Sequence, residues 1–187
     1  MAIADRERWD KKYKNNPTPT KIVEVVKEYA PLAKGKEALD IACGMGRNSK
    51  FLAEAGFNVD ALDISPIAIN SLKDIASINA IEVDFDTYRL KEDSYDLIVC
   101  TYFLNRALFP QIEKALKEEG IFIFETFMHH PENTKAPSNK RFLLEKGELE
   151  KRFNEDYEIL HLREFMSEGI CGEKSMKASM VAQKKKR

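Results

Sequence analysis

Two glycines, Gly44 and Gly46, stand in the run LDIACGMGRN (Leu39 to Asn48), with Asp40 four residues ahead of the first. A residue without a β-carbon lets the backbone approach a ligand closely and adopt positive φ at little cost. If a strand precedes these glycines and a helix follows, the helix start offers unpaired N–H groups and partial positive charge. A ligand carboxylate or phosphate suits that end. Asp40 selects in the opposite sense: it repels a pyrophosphate and attracts an amino group or another cation. The third position of a G-x-G-x-x-G loop holds Ser49 instead of glycine. Two ligand classes stay open on these residues alone. One is a dinucleotide, which would make the chain an NAD(P)-dependent oxidoreductase. The other is a ligand with a cationic group beside a carboxylate.

Further residues capable of chemistry fall at regular intervals. Asp63 follows the apolar run NVDAL, Asp84 and Asp86 lie in DFDTYR, and Thr101 and Tyr102 follow DLIVC. His129, His130 and Arg141 lie in FMHHPENTKAPSNKRF, a connection longer than routine. A histidine titrates near neutrality and can serve as general base, and an arginine can draw in an anion. Each has a plainer reading. Asp63 can cap a helix with Ser65 and Pro66, one of Asp84 and Asp86 can be merely solvated, and the histidines can be incidental to a loop. Cys43 and Cys100 read as small buried hydrophobes, with nothing nearby to activate a thiol.

The elements that must position these residues follow from hydrophobic pattern. EALDIAC, NVDALDI, INAIEV, DLIVCTYF and IFIFETF read as strands buried on both faces. SKFLAEAG, PIAINSLKDIA and PQIEKALKEEG read as helices between them, with Pro66 and Pro110 in first turns and Gly56 and Gly120 as C-terminal caps. Strand–helix alternation predicts a parallel sheet with helices on both faces. GELEKRF reads as a short helix. YEILHLREF and KSMKASMVAQ then predict a closing hairpin, too tightly joined to be parallel and half-buried by its alternation. Ahead of the sheet, NNPTPT (Asn15 to Thr20) is a turn, Thr20 is the candidate cap of a helix over KIVEVVKEYA, and Pro31 ends that helix. Trp9 and Tyr13 are four apart and share a face if their segment is helical. The reading is an α/β fold with seven strands, mostly parallel, and an antiparallel C-terminal pair.

LDIACGMGRN followed by VDALDISPIAI resembles motif I and the adjoining acidic strand of the Rossmann-like, class I S-adenosylmethionine-dependent methyltransferases. The likeness runs from about Lys36 to the C-terminus. GRNS and WDKKY are most similar to the tellurite-resistance and thiopurine-type branches. The resemblance implies S-adenosylmethionine as cofactor, with Asp40, Gly44 and Gly46 around its methionine portion and Arg47 and Asn48 at its carboxylate. It implies ribose on Asp63, adenine on Ile64, the adenine amino edge on Asp84 and Phe85, and a pocket floor from Thr101 and Tyr102. Trp9 and Tyr13 would form an N-terminal lid. The implied organisation is a single domain, with residues 1–35 as helical lid segment and 36–187 as core. His129, His130, Tyr102 and Arg141 are the candidates for work on the acceptor. A module that binds the cofactor without catalysis is the remaining alternative.

Composition limits the partners. Of 187 residues, 43% are hydrophobic and 33% charged, the mix of a globular domain, and a net charge of −1 supplies no strong overall field that points to nucleic acid or a membrane surface. No N-P-P-Y-type signature follows the fourth strand, where CTYFLNRALF stands. The expected acceptor is therefore a small molecule. Three separated cysteines argue against a disulfide framework and a structural zinc site, and the charged N-terminus is unlike a signal peptide. Reduced thiols fit the cytoplasm, and no metal is expected.

Overall fold

The computed structural model describes residues 2–16, 18–169 and 171–186. Pro17 in the expected turn, Ile170 in the hairpin connection and Arg187 of the charged tail lie outside the described residues. The elements run α1 (Ala2–Asn15), α2 (Glu24–Tyr29), β1 (Glu37–Ile41), α3 (Arg47–Glu54), β2 (Asn58–Asp63), α4 (Pro66–Asn70) and β3 (Ile78–Glu82). They continue with β4 (Tyr95–Thr101), α5 (Phe109–Ala115), β5 (Leu116–Phe127), α6 (Glu148–Phe153), β6 (Tyr157–Glu168) and β7 (Lys174–Lys184).

The seven strands form one sheet in the order β3-β2-β1-β4-β5-β7-β6. Strands β1 to β5 are parallel, and β7 runs antiparallel to both β5 and β6. The chain leaves β1 in one direction and returns at β4 on its other side. In such sheets ligands collect beyond the strand ends at this reversal. The fold and the closing antiparallel pair agree with the sequence expectation.

Period-two alternation makes two cores from one sheet. Leu39, Ile41, Ile98, Phe122 and Phe124 face α5 and α6, where Phe109, Ile112 and Phe153 close over them. Ala38, Leu97, Val99, Ile121 and Ile123 face the other way, against Val25 and Val26 of α2 and Leu52 of α3. Strands buried on both faces read as unbroken apolar runs, which is why β1, β4 and β5 were legible.

Several local expectations are corrected. Thr20 caps nothing: α2 starts after Val23, whose side chain makes no capping bond, and ends at Tyr29, before a 3-10 turn over Ala30–Leu32 that contains Pro31. The helix over PIAINSLKDIA is only Pro66–Asn70, with Ser65 as its cap. The helix over PQIEKALKEEG stops at Ala115, and Gly120 lies inside β5 instead of capping a helix. Sheet pairing overrides helix propensity there. Asp93 and Ser94 donate backbone bonds to the carbonyls of Lys114 and Ala115, and Leu116 pairs with Tyr95 across a bulge. The half-buried pattern expected for β7 fails at its centre, where Ala178 to Ala182 are all buried, because β7 is an interior strand between β5 and β6. Gly56, by contrast, follows α3 at φ +84, as a C-terminal cap should.

Candidate functional site

The turn after β1 is built on left-handed backbone. Gly44 and Gly46 have φ of +55 and +76, and Ala42 adopts +54 although it carries a β-carbon. A left-handed alanine is strained, and such strain persists where surrounding structure enforces it. Here the Cys43 N–H donates to the Leu62 carbonyl, and the Gly44 N–H donates to Asp63 Oδ2 at 2.9 Å. A β-carbon on Gly46 would fall 2.4 Å from Leu72 Cδ2. The bare backbone thus forms a cradle that side chains would fill.

Asp63 ends β2 beside this cradle. It is 5% exposed and holds two backbone donors, Gly44 and Ser65, each at 2.9 Å. Burial raises its pKa, while the Ser65, Gly44 and Ile64 N–H groups pull against that rise. Its plainer reading as a helix cap belongs to Ser65, whose Oγ accepts from the Ala68 N–H at 3.3 Å. Ile64 is half-buried next to it.

Asp40 lies deeper. At 1% exposure it accepts from the Ser49 hydroxyl at 2.6 Å, joining β1 to the first turns of α3. Ser49, the residue in place of a third glycine, is therefore spent on Asp40. Burial pushes Asp40 up to about 7, against the pull of the Ser49 hydroxyl and the Arg47 charge. Cys43 and Cys100 are buried, and burial pushes both thiols upward, so neither is an activated nucleophile.

The N-terminal helix covers this end of the sheet. Ser65 Oγ donates to the carboxylate of Asp10, and Arg6 pairs with Glu82 at 3.0 Å. The Tyr13 ring stacks on Trp9 at 5.6 Å between centroids, and its hydroxyl faces Gly44. Burial and the Asp63 charge raise the Tyr13 phenol. At the end of β3, Asp84 is half-buried and Asp86 exposed, and Asp84 Oδ1 accepts from the Asp86 N–H at 2.9 Å. Phe85 packs on Phe103.

Across the switch point the first residues of α3 face β4. Asn48 is buried, and its side chain is committed to protein: Nδ2 donates to Thr101 Oγ1 at 3.0 Å and Oδ1 accepts from the Val23 N–H at 3.3 Å. The Arg47 guanidinium lies 5.1 Å from the Tyr102 ring centroid. Tyr102 Oη donates to Glu125 Oε1 at 2.5 Å, and Lys177 Nζ donates to Tyr102 Oη at 3.2 Å.

The other acceptor-side candidates are placed differently. His129 is exposed, with its backbone N–H on the Leu144 carbonyl, and the His130 ring accepts from the Glu132 N–H at 3.3 Å. Arg141 is exposed, and its carbonyl accepts from Arg106 at 2.9 Å. Arg106 also pairs with Glu148 through Nε at 2.6 Å and bonds the Leu143 carbonyl at 2.9 Å, clasping the long connection. Sequence reading missed Asp10, Arg106, Glu125 and Lys177. Glu125 alone carried a signal, as a lone acid in the apolar strand IFIFETF. Among the described residues, no group of three His, Cys, Asp or Glu is placed for a metal, and no helix is long and apolar enough to cross a membrane.

Comparison with known proteins gives this geometry its context. The family model described as "Tellurite resistance protein TehB" matches residues 1–174. A curated relative from Haemophilus influenzae, "Probable S-adenosyl-L-methionine-dependent methyltransferase TehB", is 29% identical over 170 residues, which is 86% of this chain and 58% of the relative. The chain thus spans less than two thirds of that relative's length. The crystal structure of TehB from Haemophilus influenzae superposes with a TM-score of 0.76 at 27% identity, covering 96% of this chain and 67% of that one. A structure of an S-adenosylmethionine-dependent methyltransferase from Mesorhizobium loti has a TM-score of 0.67 at 18% identity, covering 86% of this chain and 96% of that one, and shows the shared fold.

Proposed function

Because the chain belongs to the tellurite resistance protein TehB family, we propose that it is an S-adenosylmethionine-dependent methyltransferase acting on a small molecule. The observation that carries this reading is Asp63, a buried carboxylate placed against the Gly44 backbone at the strand end of an otherwise bare glycine cradle. Such a carboxylate suits a ribose diol, and Gly44 and Gly46 leave room for the chain that follows it. Asp40 supports a cationic ligand over a pyrophosphate. Ser49, bound to Asp40, removes the third glycine that a dinucleotide loop would use.

The group bound there supplies an already activated methyl on a positively charged sulfur. The protein's part is to hold it dry and aligned. On this reading Asp63 holds ribose, Ile64, Asp84 and Phe85 border adenine, and Arg47 and the first turn of α3 face the carboxylate. Thr101 borders the pocket floor, with its hydroxyl held by Asn48. Residues 1–35 act as lid and 36–187 as core, with Trp9 and Tyr13 of α1 over the cradle. The three free cysteines suit a cytoplasmic protein.

Calorimetric titration with S-adenosylmethionine and S-adenosylhomocysteine tests the reading. Binding of both is expected, followed by transfer of labelled methyl to one acceptor among thiols, selenite, tellurite and small aromatic acids. Tight binding of a nicotinamide dinucleotide with none of S-adenosylmethionine overturns it. Binding without transfer to any acceptor would make the chain a non-catalytic module.

A further inference from the structure

Resting on the methyltransferase reading, we propose that Tyr102 is the catalytic residue that takes the proton from the methyl acceptor, with Glu125 and Lys177 acting through it. Tyr102 is the first residue beyond β4, and it leaves the strand at φ +58, an uncommon conformation for a bulky side chain. Two bonds to Glu125 hold it there. The Tyr102 N–H donates to the Glu125 carbonyl at 2.7 Å, and its hydroxyl donates to the Glu125 carboxylate at 2.5 Å. Glu125 is 7% exposed, on a strand whose neighbours Phe124 and Thr126 are also buried. A charged side chain seldom occupies such a place unless it is paired.

The position fits the role. Donor-side residues gather at β1, β2 and β3, whereas this group gathers across the switch point at β4, β5 and β7. Arg47, one residue after Gly46, joins the two halves by lying over the Tyr102 ring. Lys177 lies on the other flank, 5.0 Å from the ring centroid and 3.2 Å from Oη, and the Phe127 ring packs against Tyr102 at 5.3 Å. The titratable and charged groups facing Tyr102 are thus Glu125 from β5, Lys177 from β7 and Arg47 from α3. Burial lowers Lys177, and burial with Glu125 raises Tyr102, so the phenol stays protonated and can relay. One lone pair of Oη accepts from Lys177, and the other is left for an acceptor's X–H.

The relay balances. As the acceptor atom X bonds to the methyl carbon, the methyl–sulfur bond breaks and its electron pair stays on sulfur. The X–H proton moves to Tyr102 Oη, the phenol's own proton moves to Glu125 Oε1, and a neutral carboxylic acid results. An acceptor that is already ionised needs none of this.

That difference supplies the test. From a screen of thiols, the fastest acceptor that is ionised at the assay pH and the fastest that is still protonated are compared on wild type, Tyr102→Phe, Glu125→Gln and Glu125→Asp. Titration with S-adenosylhomocysteine on each checks the donor site separately, and its failure in wild type speaks against the methyltransferase reading and not against the relay. For the protonated thiol, Tyr102→Phe and Glu125→Gln should lower kcat about a hundredfold, as loss of a general base does, with Glu125→Asp partly restoring it. Their residual rate should climb with pH as the thiol ionises in solution. For the ionised thiol, the loss in kcat should be smaller by about tenfold or more, since no proton need move. Equal losses on both thiols, or no loss on either, would overturn the proposal. Tyr102→Phe removes a single oxygen, so it decides the matter even if Glu125→Gln fails to fold.

Discussion

The hydroxyl oxygen of Tyr13 stands 3.0 Å from the point that a β-carbon on Gly44 would occupy, so the N-terminal helix lies against the glycine turn there. Gly44→Ala tests what the contact does. Its φ of +55 alone costs an alanine about 1 kcal/mol, and the new methyl must displace Tyr13. Faster amide exchange across α1 and weaker S-adenosylhomocysteine binding are expected together. Exchange unchanged in α1 would show that the helix does not rest on this turn. Gly46→Ala should be worse, by about 2–3 kcal/mol in chemical denaturation, because overpacking against Leu72 adds to its left-handed strain.

Asp63→Ala should weaken S-adenosylmethionine binding at least tenfold, about 1.4 kcal/mol. It should also lower the melting temperature, because the Gly44 and Ser65 N–H groups lose their acceptor. Equal affinity in the variant and wild type would remove Asp63 from the ribose role, whatever happens to stability.

Asp40 predicts a pH dependence of known sign. Its folded pKa, about 7, lies above the usual carboxylate value. Between about pH 4 and 7 the native state keeps a proton that the unfolded chain has lost. This group's contribution to stability is therefore fully present at low pH, falls as pH rises through that window, and is flat above it. Asp40→Asn should remove this slope and raise stability at pH 8 by on the order of a few kcal/mol. It should also reduce S-adenosylmethionine affinity about tenfold at that pH, through loss of a carboxylate beside a cationic ligand. Denaturant melts at pH 5 and 8 with calorimetry at pH 8 check both. A variant with the wild-type slope would refute the assignment.

Arg106→Ala should loosen the segment 139–148 without reaching the glycine turn. Its guanidinium binds Glu148 and the carbonyls of Arg141 and Leu143, a forked pattern that lysine cannot copy. Limited proteolysis should cut both Arg106→Ala and Arg106→Lys faster than wild type within this segment, with S-adenosylhomocysteine affinity unchanged. Resistance equal to wild type would show that the connection is held elsewhere.

How much of this was written in the chain depends on the range of the forces involved. Leu39 to Asn48 and Asp63 were legible, because a strand end, a glycine turn and a helix start are contiguous in sequence. Gly120 misled, since whether LKEEG extends a helix or joins a strand is decided by Tyr95, more than twenty residues away. Thr20 misled because α2 begins without a side-chain cap, after Val23, whose N–H donates to Asn48 Oδ1 of a distant segment. Lys177 could not be assigned to Tyr102, because no local pattern states that β7 lies against β5. Trp9 and Tyr13 were found as a pair by their helical spacing, but their anchor Asp10 reaches Ser65 only in three dimensions.

The position of β7 has a consequence for how the chain is made. β5 is complete once residue 127 has been synthesised, yet its outer neighbour is β7, and residues 174–184 emerge only after β6 has been produced. Until then the nascent chain holds β5 as an open apolar edge, a template for pairing with any other extended segment. β6 cannot close that edge in its place, since it docks on β7 alone. The last strand is therefore a wedge driven between two waiting partners. Slowing translation just before residue 174 should raise the aggregated fraction.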